Sequence, residues 1–131
     1  MTNQSVVSRG ALTMESLNEI HDKVSELLAE EDAHLDAILV CPHAPEDLCH
    51  CRKPRPELLA RYLEQESLIA RHGYVVGDNV TDVELALNTG AKAVHVQGGV
   101  HSKVDVTSRY DSVPSFEDLG AAVDFILREF E

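Results

Sequence analysis

Positive charge is what this chain has least of. Eleven Lys and Arg stand against 23 Asp and Glu, a net charge of −12, and only four of the eleven cations are Lys. A chain so acidic is badly suited to hold a phosphate backbone by counterion release, which argues against nucleic acid as a partner. It is no better suited to an anionic membrane surface. Long apolar runs are missing too: no stretch approaches the 18 or so residues a membrane-spanning helix needs. Met1-Thr2-Asn3-Gln4-Ser5 has no basic segment leading into an apolar one, so nothing at the N-terminus reads as a secretory signal, and the cytoplasm is the default expectation. No repeat, low-complexity tract or linker-like run divides the 131 residues, which predicts one domain over 1–131. At 44% apolar and 26% charged, the composition is that of an ordinary soluble globule able to build a core.

Residues 14–31 read as an amphipathic helix: Leu17, Ile20, Val24, Leu27 and Leu28 recur at helical spacing, Thr13 can cap the start and Glu15 suits the first turn. Ala37-Ile38-Leu39-Val40 suits a buried parallel strand ending at Cys41-Pro42. Residues 41–56 are a loop, and Pro56 opens a helix expected to reach about Arg71. Tyr74-Val75-Val76 is the next strand, ending at Gly77-Asp78. A helix follows from about Thr81 to Asn88, stopped by Gly90. Ala93-Val94-His95-Val96 is a further strand, and residues 100–112 are polar without clear periodicity. Ser115 and Asp118 suggest a capping box before a last helix that uses Leu119, Val123, Ile126, Leu127 and Phe130. The expected order is loop–α–β–α–β–α–β–loop–α, an α/β fold: a three-layer, Rossmann-like parallel sheet with helices on both faces. Ligands in such folds sit at the carboxyl ends of strands, where the stretches richest in chemistry fall.

The three cysteines lie within eleven residues and share them with two histidines. Cys41, His43, Cys49 and Cys51 supply three thiolates and an imidazole, the ligand count of a closed, structural tetrahedral Zn²⁺ site, with His50 the spare. The alternatives are a chance cluster of reduced cysteines or a Cys49/Cys51 redox pair. Arg52-Lys53 follows the last ligand directly. Two cations on a rigid loop suit an anionic substrate, Arg by bidentate contact and Lys as a point charge on a phosphoryl group; a solvated surface pair is the alternative. Asp78, at a strand tip, can ligate Mg²⁺, and Asp82 can brace the cations, or the two acids can simply cap the next helix. Thr2-Asn3-Gln4-Ser5 offers a hydroxyl and amides able to hold phosphoryl oxygens.

Taken in order, Thr2-Asn3-Gln4-Ser5 with Arg9-Gly10, Cys41-Pro42-His43-Ala44-Pro45, Cys49-His50-Cys51-Arg52-Lys53-Pro54 and Gly77-Asp78 with Asp82 resemble the phosphatases of the haloacid dehalogenase superfamily. The likeness is to the small capless branch of histidinol-phosphate and heptose 1,7-bisphosphate phosphatases, and it covers roughly residues 1–98. It implies Mg²⁺-dependent phosphomonoester hydrolysis through an aspartyl-phosphate, on a small phosphorylated metabolite. By resemblance Thr2 orients the phosphoryl group, with Asn3, Gln4 and Ser5 beside it, and Arg52 recognises substrate. Lys53 neutralises charge on the nucleophile and phosphoryl oxygens, Asp78 ligates Mg²⁺, and the zinc loop over 41–53 shapes the entrance in place of a cap.

The sequence departs from the family at one decisive place. The resemblance puts nucleophile and acid/base in an Asp-x-Asp motif on a strand upstream of Thr2, and no Asp-x-Asp occurs in these 131 residues. The expectation is a chain nearly inactive alone, lacking the family's N-terminal strand, with an exposed sheet edge that makes self-association plausible. The alternative is a non-catalytic, zinc-stabilised remnant. Thr-Asn-Gln-Ser with Arg-Gly looks like the heptose branch. The five-residue spacer between His43 and Cys49 looks like the histidinol branch, and Asn79 stands where the family usually has a cation.

Overall fold

The computed structural model describes residues 1–98, 106 and 108–131. They form two compact units, Met1–Arg52 and Lys53–Glu131.

In the first unit, β1 (Thr2–Asn3) lies parallel to β2 (Val40–Cys41), with Thr2 opposite Val40 and Asn3 opposite Cys41. The Thr2 N–H donates to the Leu39 carbonyl at 2.9 Å and the Gln4 N–H to the Cys41 carbonyl at 2.7 Å. A single turn, α1 (Ser5–Ser8), leads to α2 (Met14–Glu30). Thr13 caps α2 as expected, its hydroxyl accepting from the Ser16 N–H at 3.1 Å. Replacing it by alanine is expected to cost about 1 kcal/mol of stability in urea unfolding; an unchanged midpoint would remove the cap from the account.

Two expectations need correction here. The strand expected over 37–40 is only Val40–Cys41, because β1 offers just two residues to pair with and Leu39 contributes a single carbonyl. Of the apolar stripe on α2 only Leu17 is buried; Ile20, Val24 and Leu27 are exposed. Periodicity identifies an apolar face but does not supply what covers it.

In the second unit, α3 (Glu57–Gln65) is followed by a 3₁₀ turn at Ala70–His72. Then come β3 (Tyr74–Gly77), α4 (Val80–Thr89), β4 (Lys92–Val96), β5 (Ser115–Phe116) and α5 (Leu119–Arg128). The sheet order is β3-β4-β5, parallel throughout, with Gly77 opposite His95 and Val96 opposite Phe116. Gly90 ends α4 at φ 78°, a left-handed turn glycine adopts without penalty. Val83, Leu85, Ala86, Val94, Val106 and Ala122 form the core. His95 is buried with them, its Nδ1 2.8 Å from the Ser115 hydroxyl.

Helix α3 stops well before Arg71, because Ser67 turns left-handed at φ 56° and breaks the ladder. Ser115 lies on a strand rather than in a capping box; the cap of α5 is Asp118, which accepts from the Ala121 N–H at 2.8 Å. On α5, Ala122 is the buried residue, while Leu119, Val123 and Leu127 are exposed despite their spacing, as is Phe130, which lies past the helix end. The observed order thus gains β1, α1 and β5 over the expected one. Its theme of parallel strands alternating with helices is the expected α/β fold. Residues 100–112 fall largely outside the described residues. No helix among the described residues is long and apolar enough to cross a membrane.

Candidate functional site

Strand β2 delivers Cys41, fully buried, into the cysteine loop. Pro45–Asp47 form a 3₁₀ turn that folds the chain back, and Leu48 at φ 50° redirects it toward Cys49. The result brings together all four predicted ligands. The three Sγ atoms and a His43 ring nitrogen lie within 4.8 Å of one another. Cys41 and Cys49 are 3.5 Å apart at sulfur, and His43 Nδ1 is 3.1 Å from the Cys51 sulfur and 3.7 Å from that of Cys41. All three cysteines are free thiols. His50 is exposed and outside the group, as the spare histidine was expected to be.

Electrostatics explain why such a group suits a cation. Burial alone would raise the Cys49 thiol, but hydrogen bonds from Cys41 and from the backbone at Cys51 and Arg52 outweigh it and bring it down to about 7. Burial, followed by the hydrogen bonds and charge of Cys41 and Cys49, pushes Cys51 up to about 12. One thiolate forms readily and a second is resisted by the first. A divalent ion removes that resistance, since thiolate and neutral imidazole are its ligands.

Two side chains brace the loop. The Arg52 guanidinium donates to the His43 carbonyl at 3.2 Å. The Asp47 carboxylate accepts from the Ala44 N–H at 2.7 Å and from the Ser8 hydroxyl, and these bonds hold it below the usual carboxylate range. At the start of the unit, the Gln4 side-chain amide donates to the Thr2 hydroxyl at 3.0 Å, fixing the rotor of a predicted phosphoryl-binding group. Asn3 pairs in β1 and Ser5 opens α1.

In the second unit, the Lys53 ammonium donates to Asp82 Oδ1 at 2.6 Å, the two side chains 14% and 9% exposed. A charge pair so well desolvated is a fixed fixture, unlike a solvated surface pair. Asp82 occupies the third position of α4. Its other oxygen accepts from the Asn79 N–H at 3.2 Å, while the Asn79 side chain accepts from the Thr81 N–H at 3.1 Å. Asp82 is therefore both brace and first-turn acid, and Asn79 rather than Asp78 is the cap. Asp78 follows β3 half-buried, its carboxylate without hydrogen-bond or ion-pair partner among the described residues. It fits as one Mg²⁺ ligand, and among the described residues no group of three or more His, Cys, Asp or Glu donors includes it.

Gly77 makes this arrangement possible. A Cβ there would overlap Cβ, Cγ and Oδ2 of Asp82. Gly77→Ala is expected to cost about 1–3 kcal/mol, as overpacking does, because Asp82 is tied at both oxygens and cannot swing aside. Chemical denaturation measures this, and an unaltered stability would mean that Asp82 yields freely.

Sequence reasoning passed over Asp47, the close approach of Gly77 to Asp82, Asn79 as a cap, and Asn88, whose amide donates to the Pro54 carbonyl at 2.9 Å behind Lys53. Asn79-x-x-Asp82 does carry a capping-box spacing that could have been read; Asp47 has no local signature. An apolar cavity of about 400 Å³, lined by Leu59, Leu63, Leu68, Ile69, Tyr74 and Val75 among others, holds none of the predicted site residues.

Comparison with known proteins finds a match to the HAD-hydrolase-like family over residues 50–122. The chain is 37% identical over 94 residues to the histidine biosynthesis bifunctional protein HisB of Actinobacillus pleuropneumoniae, covering 72% of this chain and only 26% of that one. It is 35% identical over 132 residues to the D-glycero-beta-D-manno-heptose-1,7-bisphosphate 7-phosphatase of Bordetella bronchiseptica, covering 98% of this chain and 72% of that one. The crystal structure of the D,D-heptose 1,7-bisphosphate phosphatase from B. bronchiseptica, complexed with magnesium and phosphate, is similar with a TM-score of 0.88. That likeness has 33% identity and covers 98% of this chain and 72% of the other.

Proposed function

From the premise that this chain belongs to the HAD-like hydrolase family, we propose that it serves Mg²⁺-dependent phosphomonoester hydrolysis on a small sugar or polyol phosphate. The first choice of substrate is D-glycero-D-manno-heptose 1,7-bisphosphate, cleaved at the 7-phosphate. The observation that carries the chemistry is the buried Lys53–Asp82 pair, 2.6 Å apart, close in sequence to a carboxylate, Asp78, that nothing among the described residues engages. A cation held rigidly needs no reorganisation when charge develops on a phosphoryl oxygen. The choice of substrate rests on the Bordetella relative, and its coverage of nearly the whole chain supports reading 1–131 as a single domain of this family.

In this reading Thr2, its hydroxyl fixed by Gln4, orients the phosphoryl group, with Asn3 and Ser5 beside it. Arg52 recognises substrate, Lys53 neutralises phosphoryl charge and Asp78 ligates Mg²⁺. Zn²⁺ held by Cys41, His43, Cys49 and Cys51 is structural: three thiolates and an imidazole fill a tetrahedron and leave no open position. Bound Mg²⁺ supplies Lewis-acid stabilisation of the phosphoryl oxygens. The nucleophile belongs to an Asp-x-Asp motif that these 131 residues do not contain. A soluble metabolite as substrate suits a cytoplasmic protein.

Histidinol phosphate is the second substrate candidate, favoured by the 37% identity to HisB. A non-catalytic zinc-stabilised role is the third reading, favoured by a Cys41, His43, Cys49 and Cys51 group that can hold a structural ion without Mg²⁺ or substrate. Phosphate release from both substrates, with Mg²⁺, separates them. It should be measured on this chain and on one extended at its N-terminus by an Asp-x-Asp strand. Turnover of the heptose bisphosphate by the extended chain alone is expected. Turnover of histidinol phosphate instead selects the second reading, and no turnover of either selects the third.

A further inference from the structure

We propose that Asp47 is a positioning residue that couples metal occupancy of the cysteine loop to anion capture by Thr2–Ser5. The inference rests on the proposed function in taking the loop as a zinc site and Thr2–Ser5 as a phosphate-binding segment.

The near end of the loop is tied to that segment through backbone bonds. Asn3 pairs with Cys41, the Gln4 N–H donates to the Cys41 carbonyl at 2.7 Å, and the Ser8 N–H donates to the Pro42 carbonyl at 3.1 Å. These bonds reach Cys41 and Pro42, at the start of the loop. The far end, with Cys49 and Cys51, has the Asp47 side chain. One carboxylate oxygen, Oδ2, accepts both from the Ser8 hydroxyl, on the turn that follows Thr2–Ser5, and from the Ala44 N–H at 2.7 Å. Asp47 stands two residues before Cys49, across the left-handed Leu48, so a shift of its backbone moves that ligand. Ser8, Asp47, Ala44 and Cys41 thus close a ring of bonds with the β1–β2 pairing as its other side. Four ligand atoms drawn onto one ion fix the loop, the loop fixes Ser8 through Asp47, and Ser8 fixes the turn behind Thr2–Ser5. By linkage the effect runs equally the other way: an anion that orders Thr2–Ser5 must tighten the metal. The neighbouring Arg9–Glu46 pair, at 4.0 Å and well exposed, has no such geometry and serves as the control.

The experiment measures the apparent zinc affinity of the full chain by equilibrium competition with a chromogenic chelator, with and without saturating inorganic phosphate. Phosphate is expected to raise that affinity about 5-fold or more, the low end of ordinary coupling between sites. Asp47→Ala and Ser8→Ala remove the same bond from opposite sides and should bring that ratio to about 1 while zinc stays near one per chain. Asp47→Asn, which keeps an oxygen acceptor, should restore it, and Glu46→Ala should leave it unchanged. A full ratio in Asp47→Ala overturns the proposal, as does a native chain that binds both zinc and phosphate without any mutual effect; the proposed function then survives. A native chain that takes up no zinc by atomic absorption, or no phosphate by ³¹P line broadening, overturns both.

Discussion

Removing zinc from the group of Cys41, His43, Cys49 and Cys51 is expected to unfold the unit Met1–Arg52. This unit has little else to hold it. Its buried apolar side chains are Leu17, Cys41 and Ala44, and two of those three belong to the loop. Its sheet is two residues by two, and the apolar stripe of its long helix is largely exposed. Hydrophobic burial on that scale does not offset the chain entropy of fifty-odd ordered residues. A four-ligand zinc site contributes apparent stabilisation on the order of 10 kcal/mol, which becomes folding free energy where the apo form is disordered. Chelator titration followed by far-ultraviolet circular dichroism, alongside zinc content, is the measurement. Loss of the helical signal should track loss of about one zinc per chain, and a signal indifferent to the chelator would sink the claim. The pH dependence has a definite sign. With Cys49 near 7 and Cys51 near 12 in the metal-free group, protons compete for both sulfurs. Zinc should therefore be held more weakly as pH falls, and unfolding should follow at lower chelator concentration.

Lys53→Met carries the second large effect, in two separable parts. In a form of the chain bearing the Asp-x-Asp strand, kcat should fall by about 10² to 10³, the range for losing one preorganised charge that stabilises a transition state. Stability should fall as well, by roughly 3–5 kcal/mol, because Asp82 is left buried without its cation. The double variant Lys53→Met, Asp82→Asn tells the two apart. It removes both charges and keeps an oxygen for the Asn79 N–H, so most of the stability should return while turnover stays low. If turnover returned with stability, Lys53 would be a structural residue only. Thermal unfolding and initial rates on the same preparations decide it.

The metal group was legible in the sequence because it rests on residue chemistry at short range, and the lysine–aspartate pair, though 29 residues apart, because a cation after the loop and an acid after a strand tip both fall where such folds gather charge. Cysteines so close in sequence have few places to go, and an acid in the first turn of a helix after a strand tip must face that tip. Thr13 as a cap was legible for the same short-range reason as the metal group. Ala37–Leu39 misled because an apolar run specifies burial and not a ladder partner. Leu119, Val123 and Leu127 misled because helical spacing marks a face whether or not anything packs on it. Asp47 was illegible on principle: its partner Ser8 is 39 residues away, and no local pattern records a bond at that distance.

The crowding of the three sulfurs has a consequence for handling as well as for folding. Cys41 lies 3.5 Å from Cys49 and 2.7 Å from Cys51 at sulfur, with neither pair bonded. A chain that loses its ion in air therefore has two thiols already within reach of each other. Dioxygen can take two electrons and two protons from them and leave an S–S bond. Two of the four donors are then gone, and restoring zinc to the buffer no longer restores the loop. Loss of the ion is reversible under thiol reductant and becomes a one-way step without it, so an inactive preparation and an oxidised one can be the same sample.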